Sequence, residues 1–174
     1  NKIKTFIFAS SSSVYKGAIN KSLKEDMKLS PLHPYGVGKL AGEHYCRIYN
    51  DLFRLNTVVL RYFSVYGPRQ IGDIEHAGVV AKFLFQAKRN SNLTIYGDGK
   101  QMRNFSFVKD VVRGTIISSL DPRLVGQIVN IASEDEISVL EIAEKIIHLV
   151  GSSSNISYLN PLKGDPLRNK ADVS

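Results

Sequence analysis

An alternation of short apolar segments with helical patterns constrains this chain more than any other feature. Ile3–Ala9, Thr57–Phe63, Leu93–Tyr96, Asn104–Val108 and Gln127–Ile131 are β-branched or aromatic-rich and bounded by turn residues, which predicts strands. Between Tyr35 and Arg54 apolar residues recur at helical spacing as Leu40, Ala41, Tyr45, Ile48, Tyr49, Leu52 and Phe53. Lys39, Glu43, Arg47, Asn50 and Arg54 supply the other side of that helix. A second helix is predicted from about Glu75 to Arg89 and a third after Asp110. The fourth has the clearest start, since Ser138 and Glu141 form a capping box ahead of Ile142, Ala143, Ile146 and Ile147, and Gly151 stops it. Strands alternating with long helices predict an α/β fold with a parallel sheet. The first two strands read as fully buried, which also favours parallel pairing. Beyond Gln70 the strands and helices shorten, which predicts a mixed lobe.

Bulk properties narrow the function classes. Hydrophobic residues make up 43% of the 174, enough for a core. Apolar runs such as Val79 to Phe85 are too short to span a bilayer, so no membrane association is expected. One cysteine, Cys46, excludes an intrachain disulfide and a multi-cysteine zinc site. A free thiol fits a reducing cytoplasm, with Cys46 acting as a small buried hydrophobe. The net charge of +7 is scattered rather than striped. Its densest group, Lys21, Lys24 and Lys28, is interleaved with Glu25 and Asp26, so a diphosphate ligand accounts for the cations better than nucleic acid does.

The first strand runs into Ser10-Ser11-Ser12-Ser13-Val14-Tyr15, placing hydroxyls where open α/β sheets bind ligands. Pro34-Tyr35-Gly36-Val37-Gly38-Lys39 follows after a loop. Tyr35 and Lys39, four apart on a helix, share a face. An ammonium beside a phenol stabilises the phenolate and suits tyrosine to general-base work. Tyr96 and Lys100 have the same spacing, but their two glycines and Asp-Gly turn place them in a loop.

These blocks, together with Leu60-Arg61-Tyr62-Phe63-Ser64-Val65-Tyr66-Gly67-Pro68-Arg69, Ile95 through Asp110, Gly164-Asp165 and Ala171-Asp172, resemble the extended short-chain dehydrogenases/reductases. The pattern is closest to the NAD-dependent epimerase/dehydratase group and its UDP-glucose 4-epimerase branch. The resemblance implies the C-terminal part of a doubly wound parallel-sheet (Rossmann-like) domain over residues 1–70. It also implies a smaller mixed α/β substrate-binding lobe over 71–174, with 104–131 partly returning to the main sheet. Residue by residue, it implies that Ser11 hydrogen-bonds the sugar hydroxyl, Tyr35 is the acid/base, and Lys39 binds the cofactor ribose. Tyr62 and Phe63 fall where backbone meets the nicotinamide carboxamide. Tyr96 packs near the uracil and ribose, and Arg103 grips the nucleotide diphosphate. NAD is the implied cofactor and a nucleotide-sugar the implied ligand, with a homodimer formed through the Tyr35–Arg54 helix. The implied reaction is 4-epimerisation through a transient 4-keto sugar, with hydride leaving C4 and returning to the opposite face.

Departures from the family pattern bear on substrate identity. Ser64 stands where the family has an asparagine that holds the sugar nucleotide, and Asn104 replaces an aspartate whose charge helps fix its loop. Lys16 replaces a glycine, and Leu162 replaces a phosphate-binding arginine for which Lys163 or Arg168 could substitute. No Gly-x-x-Gly-x-x-Gly turn occurs, so the chain is expected to begin at about the fifth strand of a parent sheet, to end prematurely, and to hold NAD weakly by itself. Relatives that catalyse 4,6-dehydration carry an acid just after the catalytic hydroxyl. Ser12 and Ser13 occupy those positions here, which favours an epimerase over a dehydratase, with a keto-reductase or a non-catalytic sugar-nucleotide module as further alternatives.

Overall fold

The computed structural model describes residues 3–15, 22–73 and 77–174. Lys16, Lys21 and Glu75 lie outside the described residues. In chain order the elements are β1 (Phe6–Ser11), a 3-10 turn (Ser12–Val14), α1 (Pro34–Phe53), β2 (Thr57–Tyr62), β3 (Val65–Tyr66), α2 (Val79–Lys88) and β4 (Leu93–Tyr96). They continue as β5 (Met102–Arg103), β6 (Ser106–Phe107), α3 (Val108–Leu120), β7 (Ile128–Ile131), β8 (Ile137–Ser138), α4 (Val139–Val150), β9 (Ile156–Leu159) and β10 (Arg168–Asn169).

The main sheet is parallel, in the order β1-β2-β7. Its faces are told apart by alternation along β2. Arg61 reaches Glu43 of α1, while the Tyr62 hydroxyl pairs with Thr115 Oγ1 of α3 at 2.9 Å. The two helices therefore cover opposite faces, giving the layered α/β arrangement that the sequence predicts. The second lobe pairs β4 with β9 in parallel and packs α2 on α4 around Val80, Phe83, Ala87, Leu93, Ile95, Val139, Ala143 and Ile146. Short pairings, β3 with β6 and β10-β5-β8, join the two regions.

α4 follows its local signals. The Ser138 hydroxyl accepts from Glu141 N–H at 3.1 Å, the Glu141 carboxylate accepts from Ser138 N–H at 2.9 Å, and Gly151 ends the helix at φ 65°. Elsewhere the structure corrects the sequence reading. Only β2 is buried along its length; β1 is largely half-buried or exposed, because among the described residues it pairs only with β2 and leaves its other edge open. The segment Asn104–Val108 yields just the two-residue β6, and Val108 already starts α3, ahead of Asp110. α2 begins at Val79, after a non-helical Ala77 and Gly78.

α1 meets the sheet through small and polar residues rather than through most of its apolar ones. Tyr45, Ile48, Tyr49, Leu52 and Phe53 are exposed, whereas Gly36, Glu43 and Cys46 are buried. Small residues let the helix close on the sheet: a Cβ on Gly42 would lie 2.2 Å from the Phe8 ring, and one on Gly36 2.4 Å from Ser13 O. Burial and the nearby Glu43 charge push the Cys46 thiol up, as befits an inert core position.

Candidate active site

The C-terminal end of β1 feeds the 3-10 turn, capped by Ser11. Ser11 Oγ accepts from Ser13 N–H at 3.2 Å and contacts Ser13 Oγ at 3.1 Å. Ser11, Ser12 and Ser13 line a cavity of about 460 Å³ together with Tyr62, Ser64 and Arg103. A second cavity, of about 570 Å³, is lined by Tyr96, Gln101, Lys82 and Phe83. The two share Ser64, Arg103, Leu162 and Asp165 as a common wall.

Arg103 is fixed at that wall. Its Nη1 donates to Met102 O at 2.8 Å and its Nη2 to Asp165 Oδ1 at 2.5 Å. Ser64 sits in the left-handed backbone region at φ 33°, a conformation that asparagine tolerates better than serine does and that costs of order 1–3 kcal/mol. Leu162 lines both cavities and Lys163 the smaller one. Arg168 points elsewhere, donating from Nε to Glu136 Oε1 at 2.8 Å, so of the two proposed substitutes for the missing arginine only Lys163 reaches the cavity wall.

Tyr35 and Lys39 stand on the first turns of α1, beside the smaller cavity rather than among its lining residues. The helix starts at His33, whose Nδ1 accepts from Gly36 N–H at 3.3 Å and whose ring stacks on Tyr35. Tyr35 is 57% exposed. Lys39 Nζ lies 5.5 Å from the Tyr35 ring centroid and donates to Ala9 O at 2.8 Å, on β1 two residues before Ser11. Phe63 is buried in a small core with Val14, Tyr15, Leu23 and Ala171.

Asn104 does more than replace a charge. Its Nδ2 donates to Ser133 O at 2.8 Å and Asp135 O at 3.0 Å, and its Oδ1 accepts from Ala171 N–H. An aspartate could not make the two donor bonds, so the amide itself fixes the loop.

Sequence reasoning missed several groups. Asn169 lines the smaller cavity and donates to Ser12 Oγ at 3.1 Å, with its Oδ1 buried and unpaired. It also missed a buried network behind the serine turn. Glu43 accepts from Arg61 Nε at 2.9 Å and Nη2 at 2.7 Å; Arg61 Nη1 donates to Tyr15 Oη at 2.7 Å; and Tyr15 donates to Asn130 Oδ1 at 2.9 Å. Burial is the largest influence on the Tyr15 phenol and pushes it up, keeping it a donor. A signal was available: an arginine inside the buried run Thr57–Phe63 demands a buried acid nearby.

A parallel sheet whose strand-end serine turn opens on one of two adjoining cavities defines a sheet-end ligand-binding protein of the doubly wound class. The model of the NAD dependent epimerase/dehydratase family matches residues 1–132, and the chain belongs to that family. It is 39% identical over 174 residues to an uncharacterised UDP-glucose epimerase of Bacillus subtilis, covering 100% of this chain and 54% of the relative. UDP-N-acetylglucosamine 4-epimerase from Methanobrevibacter ruminantium, solved in complex with UDP-N-acetylmuramic acid, shares the fold at TM-score 0.93 and 34% identity, over 99% of this chain and 55% of that one. UDP-glucuronic acid 4-epimerase from Bacillus cereus, solved with UDP-glucuronic acid and NAD, gives TM-score 0.90 at 37% identity, over 99% and 54%. The chain spans about half the length of the curated relatives it matches.

Among the described residues no helix is long and apolar enough to cross a membrane, and no group of three or more His, Cys, Asp or Glu could hold a metal ion. The donors present suit the ribose end of NAD: the exposed Tyr35 phenol and the Lys39 ammonium stand side by side on α1, with Lys39 bonded to Ala9 O of β1. Phe63 N–H is committed to Ile131 O at 3.1 Å, so a carboxamide contact would use other backbone atoms of Tyr62 and Phe63.

Proposed function

We propose that this chain is the acid/base and nucleotide-sugar-binding portion of a UDP-sugar 4-epimerase of the UDP-glucose/UDP-galactose type. The observation that carries this reading is the pair of cavities meeting at Arg103. A nucleotide-sugar has the same layout, two bulky ends joined by an anionic diphosphate, and a forked guanidinium suits the middle. The nucleoside lies in the larger cavity against Tyr96, and the sugar lies in the smaller one against Ser11 and Ser64. Lys163 adds a cation to the sugar end.

In this scheme Ser11 orients the sugar 4-hydroxyl and Tyr35 holds and returns its proton. Lys39 favours the phenolate and bonds the cofactor ribose. NAD, when bound, supplies the acceptor for the C4 hydride and its return to the other face of the sugar. Ser12 and Ser13 place no carboxylate next to Ser11 to expel water from C5–C6, which favours epimerisation over 4,6-dehydration. The open edge of β1 and the exposed apolar side of α3, Val112, Ile116, Ile117 and Leu120, suit a further cofactor-binding half continuing the sheet. The exposed apolar side of α1 suits a homodimer. The compartment that fits a single free thiol is the cytoplasm.

Isothermal calorimetry with UDP tests the nucleotide assignment without any turnover. Saturable UDP binding that Arg103→Ala weakens by at least about tenfold is expected, the loss of a charge-assisted bond to phosphate. Equal UDP binding by both proteins would remove Arg103 from the site.

A further inference from the structure

Tyr35, Lys39 and Glu43 fall four residues apart on α1 and so stack along one side of it. The lower two are tied to the last residues of β1. Lys39 Nζ donates to Ala9 O at 2.8 Å, and Glu43 Oε1 accepts from Ser10 Oγ at 2.5 Å. Ala9 and Ser10 are the two residues that precede Ser11. Successive side chains on a strand point to opposite faces, so Ser10 turns towards α1 while Ser11 turns towards the cavity.

Glu43 is only 4% exposed. A carboxylate so far from water is costly unless fully paired, and here Arg61 of β2, itself 1% exposed, meets both of its oxygens. Arg61 is held in turn by Tyr15 at the end of the serine turn and by Glu25 O, and Tyr15 by Asn130 of β7. The chain of bonds thus spans α1, all three main-sheet strands and both ends of the Ser11 to Ser13 turn. A network in which each member is satisfied fixes one geometry more sharply than apolar contacts do.

We propose that Glu43 is a positioning residue: through Ser10 it sets how α1 sits against the end of β1, and so the separation between the Tyr35 phenol and Ser11 Oγ. This rests on the reading of those two groups as partners on one sugar hydroxyl. Neither Glu43 nor Ser10 lines the cavities, so both act through their neighbours.

Ser10→Ala removes the bond to Glu43 and leaves the Arg61–Glu43 pair in place. In the full-length protein it lowers kcat at least about tenfold with KM for the UDP-sugar within about twofold, since the bound geometry is what suffers. The melting temperature stays close to that of the unmutated protein, and Ser10→Thr, which keeps the hydroxyl, recovers most of kcat. Glu43→Gln lowers kcat too, but also stability, because it leaves Arg61 without its counter-charge. A crystal structure of the Ser10→Ala protein provides a readout independent of turnover: the Ser11 to Tyr35 separation grows. Unchanged kcat, or Ser11 and Tyr35 unmoved in that structure, overturns the proposal. Absence of any sugar-nucleotide turnover by the unmutated protein overturns the epimerase reading instead, and the crystal comparison then decides the positioning role by itself.

Discussion

Asn104 Oδ1 accepts from Ala171 N–H at 2.9 Å, fastening the C-terminal segment to the loop that follows Arg103. The same amide donates to Ser133 O and Asp135 O, and the residue is 1% exposed. Each buried partner left unsatisfied costs about 1–3 kcal/mol. Asn104→Asp keeps the shape and removes both donors, so it should destabilise the protein by at least about 2 kcal/mol in urea denaturation. A midpoint unmoved by this isosteric change would mean that the two carbonyls do not depend on Nδ2.

A pH dependence follows from Glu136. Its hydrogen bond from Arg168 is the largest influence on its carboxyl and holds it below the ordinary range, helped by the charges of Arg168 and Lys170 and opposed by burial. A carboxylate with a lowered folded pKa contributes stability that is fully present above its unfolded value, about 4.3, and is lost as pH falls through the folded value. Glu136 joins the loop before β8 to β10. Acid should therefore loosen the tie between this loop and the C-terminal segment, and Glu136→Gln should flatten the loss of stability as pH falls below about 4.3. Identical acid curves for the two proteins would place the sensitivity elsewhere.

The outward side of α1 carries the dimer expectation. Leu52 is 72% exposed, and Tyr45 and Phe53 are each 65% exposed. Such a patch, on a helix already packed by its other face, is where the proposed homodimer would form. Leu52→Arg should shift the sedimentation coefficient from dimer to monomer without lowering helix content, because Leu52 is 72% exposed. A sedimentation coefficient unchanged by the substitution would exclude α1 as the interface.

What could be seen in the sequence was mostly local. Ser138, Glu141 and Gly151 bracket α4 because caps are made by residues a turn apart. The serine turn and the Tyr35/Lys39 spacing are likewise short-range patterns. The face of α1 was not legible from hydrophobicity, because its outer side is apolar and its inner side combines Gly36, Gly42, Cys46 and a paired acid with the half-buried Leu40. The partners of that acid lie 18 and 33 residues away in the chain, and Tyr15 meets Asn130 across 115. The two-residue strands β3, β5, β6, β8 and β10 have no periodicity to detect; long-range pairing alone defines them. The positive φ of Ser64 was equally hidden, since serine does not advertise the left-handed region as glycine does.

The central claim is that Tyr35 carries the proton of a sugar hydroxyl during 4-epimerisation. The most direct measurement is C4 interconversion of a UDP-sugar by the full-length Tyr35→Phe protein with NAD at neutral pH. The loss should be at least about a hundredfold in kcat, the scale of a missing general base, with KM within about threefold, because the phenol acts in the transition state while Arg103 supplies ground-state binding. Interconversion at close to the unmutated rate would contradict the account, and release of a 4-keto-6-deoxy sugar by the unmutated protein would show it to be a dehydratase.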